Sequence, residues 1–389
     1  MNDPSDSNRV PITPTVRRFA QIDGLRGLAC LMVVATHGYR HAGRFGWPRI
    51  TWGDHTFEWS GVLGLGYLGV DLFFVLSAFC LTYPMFLKWE VPTNWSRYFR
   101  NRVVRIAPPY WASVALWVVL WGAIQATQIE PWYSENLLGW PRPLVVIAGL
   151  LLIVTIYNGS YWTLCVEARW YLILPLIMWM LRRIGMAWVL GFACLASVAY
   201  YLALLYADTR GVWRVIYFAT ALPLFLPTFV LGIYVARSVA FGGQVRSARF
   251  IRLLRLAFFL ALALTGLLLP EEQQLDLLRA GVGGVFASTL LALAIYDPWS
   301  AKVLSWKPLE YIGTISYSLY LIHEPLIRLA CSMTRPWNWP EWQQFCFYEL
   351  LFPAFLILLA SAFHRAFEAP WIRRPAQPVT RPFGSTSSD

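Results

Sequence analysis

The sequence predicts an all-α protein: a polytopic membrane helical bundle that crosses the bilayer about ten times. Two observations support this fold class. Of the 389 residues, 58% are hydrophobic and only 14% are charged, a balance that leaves too few polar side chains to coat a soluble globule. The apolar residues also cluster in runs of about 20, the length that an α-helix needs to cross the hydrocarbon core of a bilayer.

Ten apolar runs have the length of a membrane span. Together they predict one transmembrane domain over residues 21–372, between a cytoplasmic tail at 1–20 and a disordered, Pro- and Ser-rich cytoplasmic tail at 373–389. No small-residue cleavage site follows the first run, so we expect no removable signal peptide. The predicted spans are 21–39, 61–86, 109–128, 162–181, 186–206, 215–236, 253–269, 277–296, 309–331 and 345–366.

An eleventh apolar run, residues 143–157, decides the topology. Lys and Arg near the ends of spans accumulate on the cytoplasmic side of a membrane. With both termini inside and this run not crossing, 22 of the 32 Lys and Arg lie inside, 9 lie outside, and Arg169 lies within a span. If the run crossed, Arg182, Arg183 and the basic cluster at 237–255 would face outside. We therefore predict ten crossings, cytoplasmic termini, and a re-entrant or interfacial segment at 143–157.

Charge and cysteine usage exclude other classes of protein. The net charge of +11 lies largely at the cytoplasmic ends of spans, so it indicates membrane lipids and not nucleic acid as a partner. The six cysteines are scattered through apolar runs without CxxC or metal-ligand spacing. We read them as small buried residues and predict no metal site. Cys165, within WTLCVE, is a conceivable nucleophile, but a packed small residue fits its surroundings better.

The first span, from Ile22 to His41, carries a cation near one end and an imidazole near the other. Arg26 and His37 are eleven residues apart. At the α-helical period they share one face of the helix and are separated by roughly 16 Å along its axis. A signal anchor with a snorkelling Arg and an interfacial His would explain this pair if nothing else in the chain accompanied it.

Further ionisable side chains lie at mid-membrane or outer depth. An ionisable group at the centre of a bilayer costs about 2.5–3.5 kcal/mol on insertion scales, so each one needs a partner, water or a ligand. A structural ion pair would explain any single example, whereas the whole set favours a functional site. The set comprises His37, Asp71 in the second span, Glu167 in the fourth, and His323 in the ninth with Ser316 and Tyr320 on its helical face.

Two more arginines stand at the cytoplasmic start of the third span. In FRNRVVRIAPPY, Arg102 and Arg105 are three residues apart and therefore share a helical face, at the depth of Arg26. They are explained either as ordinary positive-inside charge or as an anion cradle, because Arg forks bind phosphate oxygens in pairs. A polyphosphate at these arginines and a His and carboxylate cluster further out would suit a long ligand that threads between them.

Six motifs, in order from residue 21 to 374, resemble those of the membrane acyltransferase 3 family. They are RGLACLMVVATH, GVDLFFVLSAF, FRNRVVRIAPPY, WTLCVEARWY, GTISYSLYLIHEP and FEAPWIRR. Members of that family modify extracytoplasmic sugars and other acceptors with acyl groups. The resemblance implies acyl-CoA as a donor on the cytoplasmic side, an acceptor hydroxyl on the other side, and Arg26 and His37 as the functional pair. Ala78 departs from the family pattern, which usually has Gly there.

The residues themselves suit the chemistry that the resemblance implies. Acyl transfer to a hydroxyl needs a general base with a pKa near neutral, a carboxylate that holds its tautomer, and a dry site. We predict His37 as the base or as a transiently acylated nucleophile, with Glu167 or Asp71 as the carboxylate. The donor would be bound by Arg26, Arg102 and Arg105. The predicted acceptor contacts are His323, Ser316, Tyr320 and Trp162.

The sequence thus favours an integral-membrane O-acyltransferase of the bacterial inner membrane. Its expected donor is acetyl-CoA and its expected acceptor is a surface or lipid-linked carbohydrate, with a separate extracytoplasmic transferase as a further partner where a second transfer is needed. A proton-coupled transporter or permease is the alternative, because intramembrane Asp, Glu and His also mark ion pathways. Against it, the chain shows no internal repeat and no matching pair of Gly- or Pro-broken spans.

Overall fold

A computed structural model shows the chain as a bundle of α-helices with one short β-hairpin among its described residues. The structure describes residues 19–42, 49–52, 55–126, 143–153, 158–207, 221–242, 247–268 and 276–372. Most of the predicted N-terminal tail, the predicted C-terminal tail at 373–389, and residues 154–157 of the predicted re-entrant run lie outside this part of the chain.

The bundle begins with α1 (Ala20–Ala42), and an antiparallel hairpin of two four-residue strands follows it. β1 (Arg49–Trp52) pairs with β2 (His55–Glu58). The α-helices that follow the hairpin in the described chain are α2 (Trp59–Gly64), α3 (Leu68–Leu87), α4 (Trp95–Ala126), α5 (Pro143–Leu150), α6 (Trp162–Ile184), α7 (Met186–Ala207), α8 (Leu222–Gly242), α9 (Ala248–Leu268), α10 (Asp276–Tyr296), α11 (Pro298–Leu304), α12 (Lys307–Thr314), α13 (Ser316–Thr334), α14 (Glu341–Phe345) and α15 (Phe352–Phe363).

Eight helical segments among the described residues are long and apolar enough to cross a membrane. They overlap eight of the ten predicted spans, and they make the chain a multi-pass membrane protein. The other two predicted spans coincide with α1 and with the α12–α13 region. These helices contain the ionisable residues of the first and ninth predicted spans, which lower their hydropathy below that of the other eight.

Two predicted spans differ from the helices that form. The predicted span 309–331 is broken at Ile315, where α12 ends and α13 begins. The predicted span 109–128 belongs to a longer helix that already begins at Trp95 and continues through two internal prolines. Hydropathy missed this first part because its arginines make it polar, although the helix continues unbroken.

The eleventh apolar run contains only a short helix in its described part. The eight residues of α5 rise about 12 Å, well short of the ~30 Å hydrocarbon core. Side chains of α4 hold the end of α5: the Tyr110 hydroxyl donates to the carbonyl of Gly149 at 2.8 Å, and the Trp111 indole donates to that of Leu150 at 3.0 Å. The backbone then turns at Leu152, whose φ is 57°. α5 by itself therefore does not cross the bilayer.

Glycines bring α1 and α12 into backbone contact. A side-chain carbon on Gly313 would lie 1.7 Å from the carbonyl oxygen of Asp23, and one on Gly27 would lie 2.2 Å from that of Leu309. Small residues are the usual means by which membrane helices approach so closely. Ala78, the departure from the family pattern, is accommodated in the same way, because it faces Gly232 of α8.

The site lies where two hydrophobic clusters meet. One cluster comprises α3 and α6–α10 with residues 22–29 of α1. The other comprises α4, α13 and α15 with residues 30–34 of α1. Val70 and Phe73 of α3 pack against both clusters. α1 runs antiparallel to α3, since Gly69 faces Ala29 while Cys80 contacts Arg26 further along α3.

Candidate active site

Two histidines from helices distant in sequence form the centre of the site. His37 of α1 and His323 of α13 lie with Nδ1 of the first 3.3 Å from Nε2 of the second, and their ring centroids are 4.9 Å apart. The Nδ1 atom of His37 is also 2.9 Å from the carbonyl oxygen of Val33, and that of His323 is 2.8 Å from that of Tyr320. Because a carbonyl oxygen only accepts hydrogen bonds, each neutral ring carries its proton on Nδ1 and its lone pair on Nε2.

The two imidazoles differ in accessibility. His323 is fully buried, whereas 21% of the His37 side chain is exposed. His41, one helical turn beyond His37 on the same face, stacks against it with a ring separation of 6.0 Å. His37 is therefore the histidine that a substrate can reach, and its neighbours hold its ring in place.

Among the described residues, the carboxylate that faces His37 belongs to Glu324. Its Oε2 atom is 4.0 Å from Nε2 of His37, and its Oε1 atom is 3.7 Å from Nε2 of His41. The Glu324 carboxylate is buried, and it accepts hydrogen bonds at 2.5 Å from both the backbone N–H and the hydroxyl of Ser160. Arg328 neutralises it through two hydrogen bonds, of 3.0 Å from Nε and 2.5 Å from Nη2.

A 3₁₀ turn ahead of α6 shapes the pocket for Glu324. Asn158 caps this turn: its side chain accepts from the N–H of Ser160 at 2.9 Å and donates to the carbonyl of Leu321 at 3.1 Å. A side chain on Gly159 would lie 2.8 Å from the Glu324 carboxylate, so only glycine leaves room for it there. The turn thus contacts both the backbone of α13, at Leu321, and the Glu324 carboxylate.

The three arginines expected to bind the donor line one cavity of about 290 Å³. Arg26 donates to Asp23 at 3.0 Å and to the Cys80 sulfur at 3.2 Å. Arg102 lies 6.0 Å from the centre of the Tyr171 ring, and Arg105 is exposed. Arg26 and Arg102 act on Arg105 as like charges. Three carboxylates, those of Asp23, Glu167 and Glu368, line the same cavity, and the arginines supply the paired donors that suit a multiply charged anion.

Glu167 lies in this arginine cavity, and its described contacts are there and not with His37. Its carboxylate accepts a hydrogen bond of 2.6 Å from Ser77 and a short one from Tyr171. The carboxylate predicted to hold the base therefore lies in the arginine cavity, where it offsets part of the arginine charge. Glu368 of the FEAPW motif lines the same cavity and accepts from Ser318 at 2.5 Å.

Asp71 is placed away from both the cavity and the histidines. It is buried in α3 against α10, where a side chain on Gly283 would lie 2.5 Å from its carboxylate. Arg279 is the cation that acts on it, and the Arg279 guanidinium stacks over Tyr67 at 4.2 Å. The Asp71 side chain therefore faces α10 and not His37, the neighbour expected from the sequence.

The predicted acceptor contacts separate into two groups. Ser316 and Tyr320 line the arginine cavity, and the Tyr320 ring lies 5.3 Å from that of His323. Trp162 lies outside the lining of the cavity, in an aromatic group with Phe74 and Phe225. Tyr320 therefore stands between the end of the cavity and the histidine pair.

Five groups of the site were not predicted from the sequence: Glu324, His41, Arg328, Ser160 and Gly159. Helical spacing could have indicated His41 and Arg328, because His41 lies four residues after His37 and Arg328 lies four residues after Glu324, so each pair shares a helical face. No sequence pattern indicated Ser160 and Gly159, since they lie in a short turn that contacts α13 across more than 160 positions of the chain.

Comparisons with known proteins show a family match and two curated relatives. A family model described as an acyltransferase domain matches residues 19–363. The chain is 27% identical to the peptidoglycan O-acetyltransferase OatA of Listeria monocytogenes, over 82% of this chain and 51% of that protein. It is 24% identical to YrhL of Bacillus subtilis, named as a candidate peptidoglycan O-acetyltransferase, over 82% of this chain and 50% of that protein. The chain spans about half the length of these curated relatives.

No solved structure shows a significant match to the chain. The family match covers far more than half of the residues, and it includes both histidines, Glu324 and all three arginines of the cavity. The chain therefore belongs to the membrane acyltransferase 3 family.

Proposed function

We propose that the chain is an integral-membrane O-acetyltransferase that moves an acetyl group from cytoplasmic acetyl-CoA to a hydroxyl of an extracytoplasmic carbohydrate. The observation that supports this most strongly is the order of groups along one axis. The arginine cavity begins at Arg26, it extends to Tyr320, and the His37–His323 pair lies directly beyond Tyr320. A donor bound by its phosphates at one end would thus present its thioester toward the base at the other.

The donor fits the residues of the cavity. CoA carries several phosphates, and Arg26, Arg102 and Arg105 supply paired donors for their oxygens. Between Arg26 and His37 the helix rises about 16 Å, which is comparable to an extended pantetheine arm. When bound, the donor would supply an activated thioester, and the arginines would hold it in a fixed register along the cavity.

His37 would act as the general base of the transfer. Its Nε2 lone pair would take the proton of the acceptor hydroxyl while that oxygen bonds to the acyl carbon, and the C–S bond would break as the proton passes to the leaving sulfur. Glu324 would stabilise the imidazolium form of His37. The buried position of His323 favours a role in positioning His37 over the acceptor contact expected from the sequence. A transient acyl group on His37 is the second route to the same products.

The acceptor is proposed from the two relatives, whose names specify peptidoglycan. We assign the acceptor as a hydroxyl of peptidoglycan or of its lipid-linked precursor, in a bacterial inner membrane with both termini cytoplasmic and ten crossings. A separate extracytoplasmic transferase is proposed as a further partner for any second transfer step.

The test is transfer of label by the purified full-length protein in lipid nanodiscs. Radiolabel from acetyl-CoA should enter peptidoglycan fragments with the wild type, and transfer by His37→Ala and His37→Gln should fall by at least about 10²- to 10⁴-fold while CoA binding remains. Arg182→Ala serves as the control, because Arg182 stacks on Trp89 and does not line the cavity. Substantial transfer by correctly inserted His37→Ala protein would overturn the assignment, and proton-coupled transport without use of acetyl-CoA would favour the transporter.

A further inference from the structure

One face of α3 forms the long wall of the arginine cavity. Val70, Phe73, Ser77 and Cys80 are partly exposed, whereas the residues between them are almost all buried. Their spacing of three and four residues puts all four on one side of the helix, and all four line the cavity. The rise from Cys80 to Val70 is about 15 Å, so the cavity follows the helix over most of the distance between Arg26 and the histidines.

The cavity is open at one end and closed at the other. At the arginine end, Arg105 is exposed and Ile372 is 39% exposed. At the far end the lining residues Phe74, Leu164 and Tyr320 are 2%, 6% and 6% exposed. A donor entering past the arginines therefore reaches a largely apolar end, where its acyl group would come to rest against Tyr320, whose ring is 5.3 Å from that of His323.

Two aromatic rings form the closed end. Phe73 and Tyr320 meet edge to face with centroids 5.8 Å apart. Tyr320 is fixed by its hydroxyl, which donates to the carbonyl of Ser160 at 2.9 Å and lies 2.7 Å from the Thr163 hydroxyl. Phe73 has no polar atom to anchor it and is held by apolar packing alone. It is thus the side chain whose size sets how far the closed end extends.

We propose that Phe73, with Val70 beside it, limits the length of the acyl chain and restricts the donor to short acyl groups. This inference rests on the proposed function. The cavity volume of about 290 Å³ lies at the lower end of the ~300–1,000 Å³ typical of small-molecule sites, and the donor arm must share it with the acyl group. Each further methylene would have to displace the Phe73 ring or the anchored Tyr320 ring, because the packed walls leave no other space.

Binding of CoA thioethers tests the limit without requiring turnover. The full-length protein in nanodiscs is titrated with free CoA and with thioethers that carry two-carbon and six-carbon alkyl groups. The wild type should prefer the shorter thioether by at least about 10-fold, in line with the discrimination that one methylene produces in an apolar pocket. Phe73→Ala should reduce this preference at least about 10-fold, and Phe73→Leu should reduce it less.

A change in the opposite direction provides a second readout. Val70→Phe should fill the closed end, so this variant should bind free CoA as the wild type does but lose affinity for the two-carbon thioether. Phe79→Ala is the matched control, because Phe79 lies on the same helix but packs against Phe19 and Tyr83, away from the cavity lining. Its chain-length preference should equal that of the wild type.

The outcomes separate this inference from the function on which it rests. If the wild type binds CoA but takes both thioethers equally, or if Phe73→Ala and Val70→Phe leave the preference unchanged, the inference is overturned and the acetyltransferase assignment stands. If the wild type binds neither CoA nor any thioether, the proposed donor itself is wrong. Should the Ala variant fail to insert, Phe73→Leu and Val70→Phe decide the question.

Discussion

The imidazoles of His37 and His323 are 286 residues apart in the chain, yet Nδ1 of the first lies 3.3 Å from Nε2 of the second. Each ring is also fixed by a carbonyl of its own helix. Only His37 is partly exposed, with 21% of its side chain accessible. The contact thus joins a reachable ring to a buried one, and it sets the orientation of the ring that is proposed to act as the base.

This contact predicts different effects for the two histidines. His323→Gln should lower kcat by about 10- to 100-fold, less than His37→Gln, and leave the KM for the donor unchanged, because His323 holds the base without touching the substrate. The pH–rate profile should shift in His323→Gln, which a purely structural role would not cause. His323→Leu, which lacks any acceptor for His37, should be the more damaged variant. Equal loss in both histidine variants would contradict the division of roles.

The cavity predicts a shared donor site for the three arginines. Alanine at Arg26, Arg102 or Arg105 should weaken CoA binding by about 1.5–3 kcal/mol each, the range for hydrogen bonds to charged groups. Lysine should restore only part of the affinity, because the bidentate fork is lost. Titration calorimetry with CoA measures the effect. Arg182→Ala is the matched control, since Arg182 stacks on Trp89 at 4.1 Å and does not line the cavity. Unchanged affinity in all three variants would rule out the cradle.

Helical period and hydropathy were enough to predict some of these groupings. Arg26 and His37 lie on one face of α1 by spacing alone, and the three arginines share a depth because each stands at the inner end of a span. The three arginines do line one cavity. What a single chain does not reveal is which face of one helix meets which face of the next. That is why Glu167 was expected at His37 and is found beside Ser77.

Glu324 is a second residue whose partners on other helices could not be predicted from the sequence. Glu324 follows His323 directly in the sequence, and adjacent positions on a helix point about 100° apart around its axis. The Glu324 carboxylate is held near the histidines of α1 because the backbone of the turn at Gly159 and Ser160 packs against it. The helix break at Ile315 was also missed, since the one glycine of this run, Gly313, lies two residues before the break and an isolated Gly is tolerated within a helix.

The charge distribution predicts the topology of the membrane domain. The 22 to 9 asymmetry of Lys and Arg favours ten crossings with both termini in the cytoplasm. Reporter fusions after Pro270 and after Trp337 should therefore read extracytoplasmic, and fusions after Arg183 and after Lys302 should read cytoplasmic. Alkaline phosphatase and green fluorescent protein give opposite signals and control for expression. An inverted reading at Arg183 and Lys302 would show that the segment at 143–157 crosses the membrane.

Glu324 and Arg328 allow structural and chemical roles to be separated. Glu324→Gln removes the charge that faces His37 and Arg328 but keeps an acceptor for Ser160. Transfer should fall by at least about 10²-fold, because the imidazolium form of His37 loses its counter-charge. Stability should also fall, by less than the ~3–5 kcal/mol of a fully buried broken pair, since 26% of the Arg328 side chain is exposed.

The double variant Glu324→Gln with Arg328→Met completes the test. Removing the unpaired guanidinium should restore most of the lost thermal stability, because no charge is then left without its partner, while transfer should stay at the level of Glu324→Gln alone. A double-mutant cycle on the melting temperature and on kcat separates the two effects. If activity returned together with stability, Glu324 would be a structural partner of Arg328. If stability returned without activity, the carboxylate would act on His37, as the 4.0 Å separation from its Nε2 atom leads us to expect.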